Sequence, residues 1–107
     1  MPEPAVKAKV FVINDSGHNF APAQAFGELV FMTKDEVNRF NVTQMKRSFT
    51  PFVNSSSPQD FVLHSGPGVM SAIACSMFAA KHGRLNLLLW RAGKDGDEGY
   101  VLRRLVF

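Results

Sequence analysis

Asp60-Phe61-Val62-Leu63-His64-Ser65-Gly66-Pro67-Gly68-Val69, followed by an apolar stretch to Lys81 and then Leu85-Asn86-Leu87-Leu88-Leu89-Trp90, decides the architecture of this chain. The short apolar run before His64 has strand length, and Ser65 to Gly68 is turn chemistry. The spacing then predicts a buried helix over 69–81, stopped by His82-Gly83 with a cation in its last turn. Strand, glycine turn, helix and strand within about thirty residues make a parallel β-α-β unit. Such a turn aims backbone N–H groups and the positive end of a helix dipole past the carboxyl edge of a sheet, where anions bind.

Upstream, Val6 to Ile13 reads as a first strand. Its continuously apolar part, Val10 to Ile13, suggests cover on both faces. Asn14-Asp15-Ser16-Gly17-His18 is a polar turn, Phe20 to Phe26 allows one helical turn, and Leu29 to Met32 is a second strand. Thr33 and Glu36 have capping-box spacing, and Asn41 with Gln44 offers a second helix start. Val42, Met45 and Phe49 fall at helical spacing, with Pro51 limiting continuation. Asn54 to Pro58 is a loop. Downstream, Leu85 to Ala92 and Tyr100 to Phe107 flank a glycine- and aspartate-rich segment, Gly93 to Gly99, and so form a hairpin. The paired Arg103 and Arg104 mark the last strand as a sheet edge. The expected fold is a single small α/β domain over 1–107: a mixed, mostly parallel sheet of about five strands, helices packed on it, and a C-terminal antiparallel hairpin. If the first and third strands run the same way, the turns at 14–18 and 64–68 meet at one rim.

Composition sets the limits of function. A chain of 107 residues with 46% hydrophobic content, ten of its residues phenylalanine, buries a real core in one domain. The net charge of +3 is a mild basic excess, compatible with a phosphate-bearing partner and short of the dense basic stripe of a duplex-DNA binder. A lone Cys75 within an apolar helix fits a reducing compartment. No apolar stretch reaches the ~20 residues of a membrane span, and Met1 to Pro4 is polar and proline-rich, unlike a secretory leader. A cytoplasmic location is therefore expected, and the sequons at Asn41 and Asn54 are read as chance matches. The helix over 69–81 lacks a polar face, so a second subunit is expected to help cover it.

The candidate ligand-binding residues are Asn14, Asp15, Ser16, Gly17, His18, His64, Ser65, Gly66, Gly68 and Val69. Gly66 to Ser71 matches the dinucleotide fingerprint only in part. It follows the third strand rather than the first, has Ser71 at the third glycine, and has Leu88 where an acidic residue is wanted. No Walker lysine follows it. His18 and His64 are the catalytic candidates of an alternative hydrolase, with Ser16 or Ser65 as nucleophile and Asp15 as orienting carboxylate. The histidines and Cys75 lack metal-ligand spacing, and Asp95-Gly96-Asp97-Glu98 lacks the calcium-loop pattern, so neither metal nor cofactor is expected. Lys34, Arg39, Lys46 and Arg47 form one basic group, and Lys81, Arg84, Arg91, Arg103 and Arg104 another. Aromatics near them admit nucleic-acid binding, but core packing accounts better for most phenylalanines.

The stretches Val10 to His18, Phe26-Gly27-Glu28-Leu29-Val30 and His82-Gly83-Arg84-Leu85-Asn86-Leu87-Leu88-Leu89 resemble small uncharacterised proteins encoded by tailed bacteriophages. The resemblance covers most of the chain and implies a non-catalytic binding role against host defence or host enzymes, in the bacterial cytoplasm. Together, residues and resemblance favour an oligomeric binding protein for an anionic small molecule, a nucleotide or nucleotide-derived signal, over which Arg39 or Arg84 closes. The alternatives are a protein-interaction module that inhibits a host protein and a small hydrolase, with nucleic-acid binding less favoured.

Overall fold

Val10, Phe11, Val12 and Ile13 are all buried because their strand lies inside a five-stranded sheet. The computed structural model describes residues 7–34, 37–93 and 98–107. The strands are β1 (Lys9–Val12), β2 (Glu28–Phe31), β3 (Phe61–Leu63), β4 (Arg84–Arg91) and β5 (Gly99–Val106). Their spatial order is β2-β1-β3-β4-β5. The first three pairings are parallel, and β4 with β5 is an antiparallel hairpin. This is the α/β sheet expected, with the arginine-bearing strand at its edge. The expected start of the first strand at Val6, the Glu36 half of the first capping box, and the tip at 95–97 lie outside the described residues.

Alternation along β1 sends its side chains to two cores. Phe11 and Ile13 pack with Val62, Met45, Phe49, Met70 and Phe78 beneath the helices α1 (Val42–Ser55) and α2 (Gly68–His82). Val10 and Val12 pack with Leu63, Leu88, Phe20 and Ala23 on the opposite face. That face is crossed by one 3-10 turn, Ala21–Ala25, entered with a proline in its first turn. The chain moves one way from β1 to β2 and the other way from β2 to β3. Right-handed crossovers therefore place the two connections on opposite faces. Gly27, buried after the 3-10 turn, lies against the Ala8 carbonyl with no room for a Cβ.

Helix α1 departs from expectation. It begins where Asn41 predicted, the Asn41 side chain accepting from the Gln44 N–H at 3.1 Å, yet it runs through Pro51 to Ser55 as one helix. Proline cannot donate to the Arg47 carbonyl. Both residues are exposed, so water can take that acceptor, while Phe52 and Val53 continue the inward line of Met45 and Phe49. Burial on the following turn outweighs one lost hydrogen bond.

Helix α2 ends at Gly83, whose N–H returns to the Ala79 carbonyl at 2.8 Å. Its outward line is Ala72, Ser76 and Ala80, all small. Its large residues already face the sheet and α1, so its apolar composition does not by itself require a second subunit. Lys81 reaches back from its last turn and donates to the Val53 and Asn54 carbonyls at 2.8 and 2.7 Å. Helix α1 has no basic residue in its own last turn, so α2 supplies the cation that its dipole favours. No helix among the described residues is long and apolar enough to cross a membrane.

Two outcomes follow. Lys81→Met keeps the aliphatic stem and removes the donor, and should cost about 1 kcal/mol in urea unfolding, with faster amide exchange in the last turn of α1. His82 Nε2 lies 2.8 Å from Ser56 Oγ, and burial, then the Lys81 charge, lower its pKa against a small opposing pull from Asp60. The folded state thus binds this proton less readily than the unfolded chain. Stability should fall as pH drops below the ordinary imidazole value of 6.5, and in His82→Gln this part of the slope should vanish. A slope unchanged in that variant would assign it to other groups.

Candidate functional site

Past the carboxyl end of β1 the chain stays paired on the β2 side, through a bridge between Asp15 and Lys34, and its ladder with β3 gives way after Leu63. One hydroxyl bonds both backbone groups of Asn14 at this point. Ser65 Oγ accepts from the Asn14 N–H at 3.0 Å and donates to the Asn14 carbonyl at 2.8 Å, with both residues buried. On the other side the Asp15 N–H reaches the Thr33 carbonyl at 2.9 Å, and Thr33 Oγ1 donates to the Ile13 carbonyl at 2.7 Å. The turns after β1 and β3 therefore touch, as a switch point between them requires.

Gly66 makes that contact close. Its φ is +79°, and a Cβ there would stand 2.8 Å from Asn14 Cβ. Only glycine satisfies both conditions. Pro67, extended at φ −58° and ψ 141°, leads into α2, and no side chain caps the first turn of that helix. The N-terminus of α1, by contrast, is closed by Asn41. The Met70 N–H turns back to the Pro67 carbonyl at 3.0 Å, and the Gly68 and Val69 N–H groups are left to solvent or a ligand.

Beside this junction lies an open cleft of about 890 Å³, lined by Asn14, Asp15, Ser16, Gly17, Val37, Arg39, Gly66 and Pro67. Gly17 N–H donates to Asp15 Oδ1 at 3.3 Å, an Asx turn that presents Ser16 and Gly17 outward. Five of the ten candidate ligand residues meet in this cleft: Asn14, Asp15, Ser16, Gly17 and Gly66. The other five do not line it. His18 lies in a second cleft of about 680 Å³ with Lys7, Phe20 and Glu28, its ring edge-on to Phe20 at 6.2 Å. His64 hydrogen-bonds through Nδ1 to the buried hydroxyl of Ser71 on α2. Ser65 is spent on Asn14, and Gly68 and Val69 form the first turn of α2 behind Pro67.

The catalytic constellation considered for the hydrolase alternative is not assembled: His18 and His64 line no common cleft, and neither bonds to Ser16 or Ser65 among the described residues. Cys75 is partly buried on α2, and burial pushes its thiol pKa up. Among the described residues no group of three His, Cys, Asp or Glu side chains is placed to hold a metal. Of the two arginines considered, Arg39 borders the cleft. Arg84 begins β4 at the opposite edge of the sheet and bonds to Asn86 Oδ1 at 3.4 Å. Val37 and Pro67 were not among the expected site residues. Proline reads as a turn former, and no pattern marks an isolated valine between polar neighbours. Ser71, the partner of His64, looks in sequence like one more small residue of an apolar helix.

Gly66→Ala should destabilise the fold by roughly 1–3 kcal/mol, since left-handed strain and the Asn14 contact add. Gly68→Ala, where a Cβ meets nothing within 4 Å, should be neutral or slightly stabilising. Thermal unfolding of the two variants side by side measures the difference, and equal effects would contradict the close junction.

Residues 8–100 match the family described as Phage Pam3 gp32-like protein. No curated protein and no solved structure matches the chain. The match takes in every strand start, both helices and both turns of the cleft, so this chain belongs to the Phage Pam3 gp32-like protein family and is a small phage protein.

Proposed function

We propose that the protein binds an anionic small ligand, a nucleotide or nucleotide-derived signal, in the cleft between the turns after β1 and β3, and does so in the infected host. The observation that carries this is the junction itself. Two turns are locked together by Ser65, a helix without a side-chain cap begins directly behind one of them, and Arg39 lines the same cleft. Open α/β sheets bind ligands at this position, and helix starts favour negative charge. The exposed backbone around Ser16, Gly17 and Gly66 suits phosphate oxygens. Asp15 is a carboxylate and repels phosphate, so its place is against hydroxyls such as those of a ribose.

Calorimetric titration with mono-, di- and cyclic nucleotides is the test, with thermal shift as a second readout. Saturable binding is expected, weakened at least about tenfold in Arg39→Ala, the loss expected for a charge-assisted contact. Absence of heat and of any thermal shift across the panel rejects the proposal.

A second reading, a protein-interaction module, is favoured by one observation. The outer edge of β5 ends in exposed Leu105, Val106 and Phe107, with half-exposed Trp90 on the neighbouring strand. Under that reading nucleotides are ignored, and Phe107→Asp abolishes association with a single host protein.

A further inference from the structure

Phe40 is 85% exposed, the most exposed of the large apolar side chains described, although its neighbours in sequence are held rigidly. The Phe40 N–H donates to Asn38 Oδ1 at 3.0 Å, and the Asn41 N–H donates to the Asn38 carbonyl at 3.0 Å. Asn41 then caps α1. The turn is thus built around its backbone and leaves the ring outside. Burying a phenylalanine side chain stabilises a fold, and that gain is forgone here. The ring is tied to the cleft through its neighbour: Arg39 lines the cleft, and its guanidinium carbon lies 6.0 Å from the Phe40 ring centroid.

We infer that Phe40 is a stacking platform for a flat aromatic group of the ligand, so that the cleft takes a nucleotide with its base rather than phosphate or sugar phosphate alone. This rests on the anion-cleft function proposed above and names the class of ligand it takes. Phosphate sits against the Ser16 and Gly66 backbones with Arg39 beside it, and the base lies over the ring next to that same arginine. Every base has a π-face, so stacking confers preference for nucleotides without selecting one base. A guanidinium flanking the ring adds attraction for both parts of the ligand.

Titration of ADP, ribose 5-phosphate and inorganic pyrophosphate into the wild-type protein and Phe40→Ala tests this. An exposed ring can be removed without harm to the fold, and an unchanged melting temperature checks that. The expected result is that Phe40→Ala weakens ADP by roughly 5- to 150-fold, the range for one base–aromatic stack, and leaves pyrophosphate within about twofold. Phe40→Trp in a Trp90→Phe background should respond in fluorescence to ADP and stay silent with pyrophosphate. The stacking role is overturned if ADP binds the wild type no tighter than pyrophosphate, or if Phe40→Ala binds ADP normally. In either case retained pyrophosphate binding leaves the anion cleft standing. If none of the three ligands binds, cleft and platform fall together.

Discussion

A hydroxyl group holds this molecule together where its sheet comes apart. On the β2 side the parallel pairing runs on past β1 to a bridge between Asp15 and Lys34, whereas on the β3 side the ladder gives way after Leu63. Ser65 Oγ substitutes for that strand, accepting the N–H and donating to the carbonyl of one residue. A buried peptide left unsatisfied costs about 1–3 kcal/mol per group, so the serine decides whether the rim is closed. At the other end of β1 the same task falls to Asp60, whose carboxylate accepts from the Lys9 N–H at 2.9 Å and the Ser57 N–H at 2.8 Å. The Lys9–Asp60 and Asn14–Ser65 contacts each join residues 51 apart in sequence, and together they bracket the register of β1 on β3. The cleft exists because the upper of these two pins pulls one turn onto the other.

Much of the fold is legible because its determinants are local. An apolar run of four residues before a polar turn, a glycine after the last periodic residue and a capping asparagine each act within one turn of chain. The β-α-β unit, the hairpin and the arginine-marked edge could all be read this way. Pro51 is the instructive failure. Its local cost is real, but Phe52 and Val53 gain more by continuing the inward face of α1 than the helix loses.

The site was half legible for a related reason. Asn14 to Gly17 and Gly66 belong to the cleft, and turn chemistry finds them. Which arginine faces it depends on which end of the sheet that arginine occupies, a matter of topology: Arg39 precedes a helix near the carboxyl rim, and Arg84 follows one at the far edge. His64 and Ser65 are adjacent, yet the pleat sends one to Ser71 and the other to Asn14. Phe40 looks like one more core phenylalanine until its exposure is seen. In this phage protein the conserving principle is economy of backbone: one short sheet, helices on one face, and polar groups used mainly to close strand ends.

The most direct measurement is a two-dimensional NMR titration of the wild-type protein with pyrophosphate, following backbone amides. Saturable shifts are expected at Ser16, Gly17, Gly66, Gly68 and Val69, with the Arg39 guanidinium responding at the same midpoint. Shifts scattered over exposed lysines and arginines without saturation, or a silent rim, would contradict the claim that this junction is built to receive negative charge.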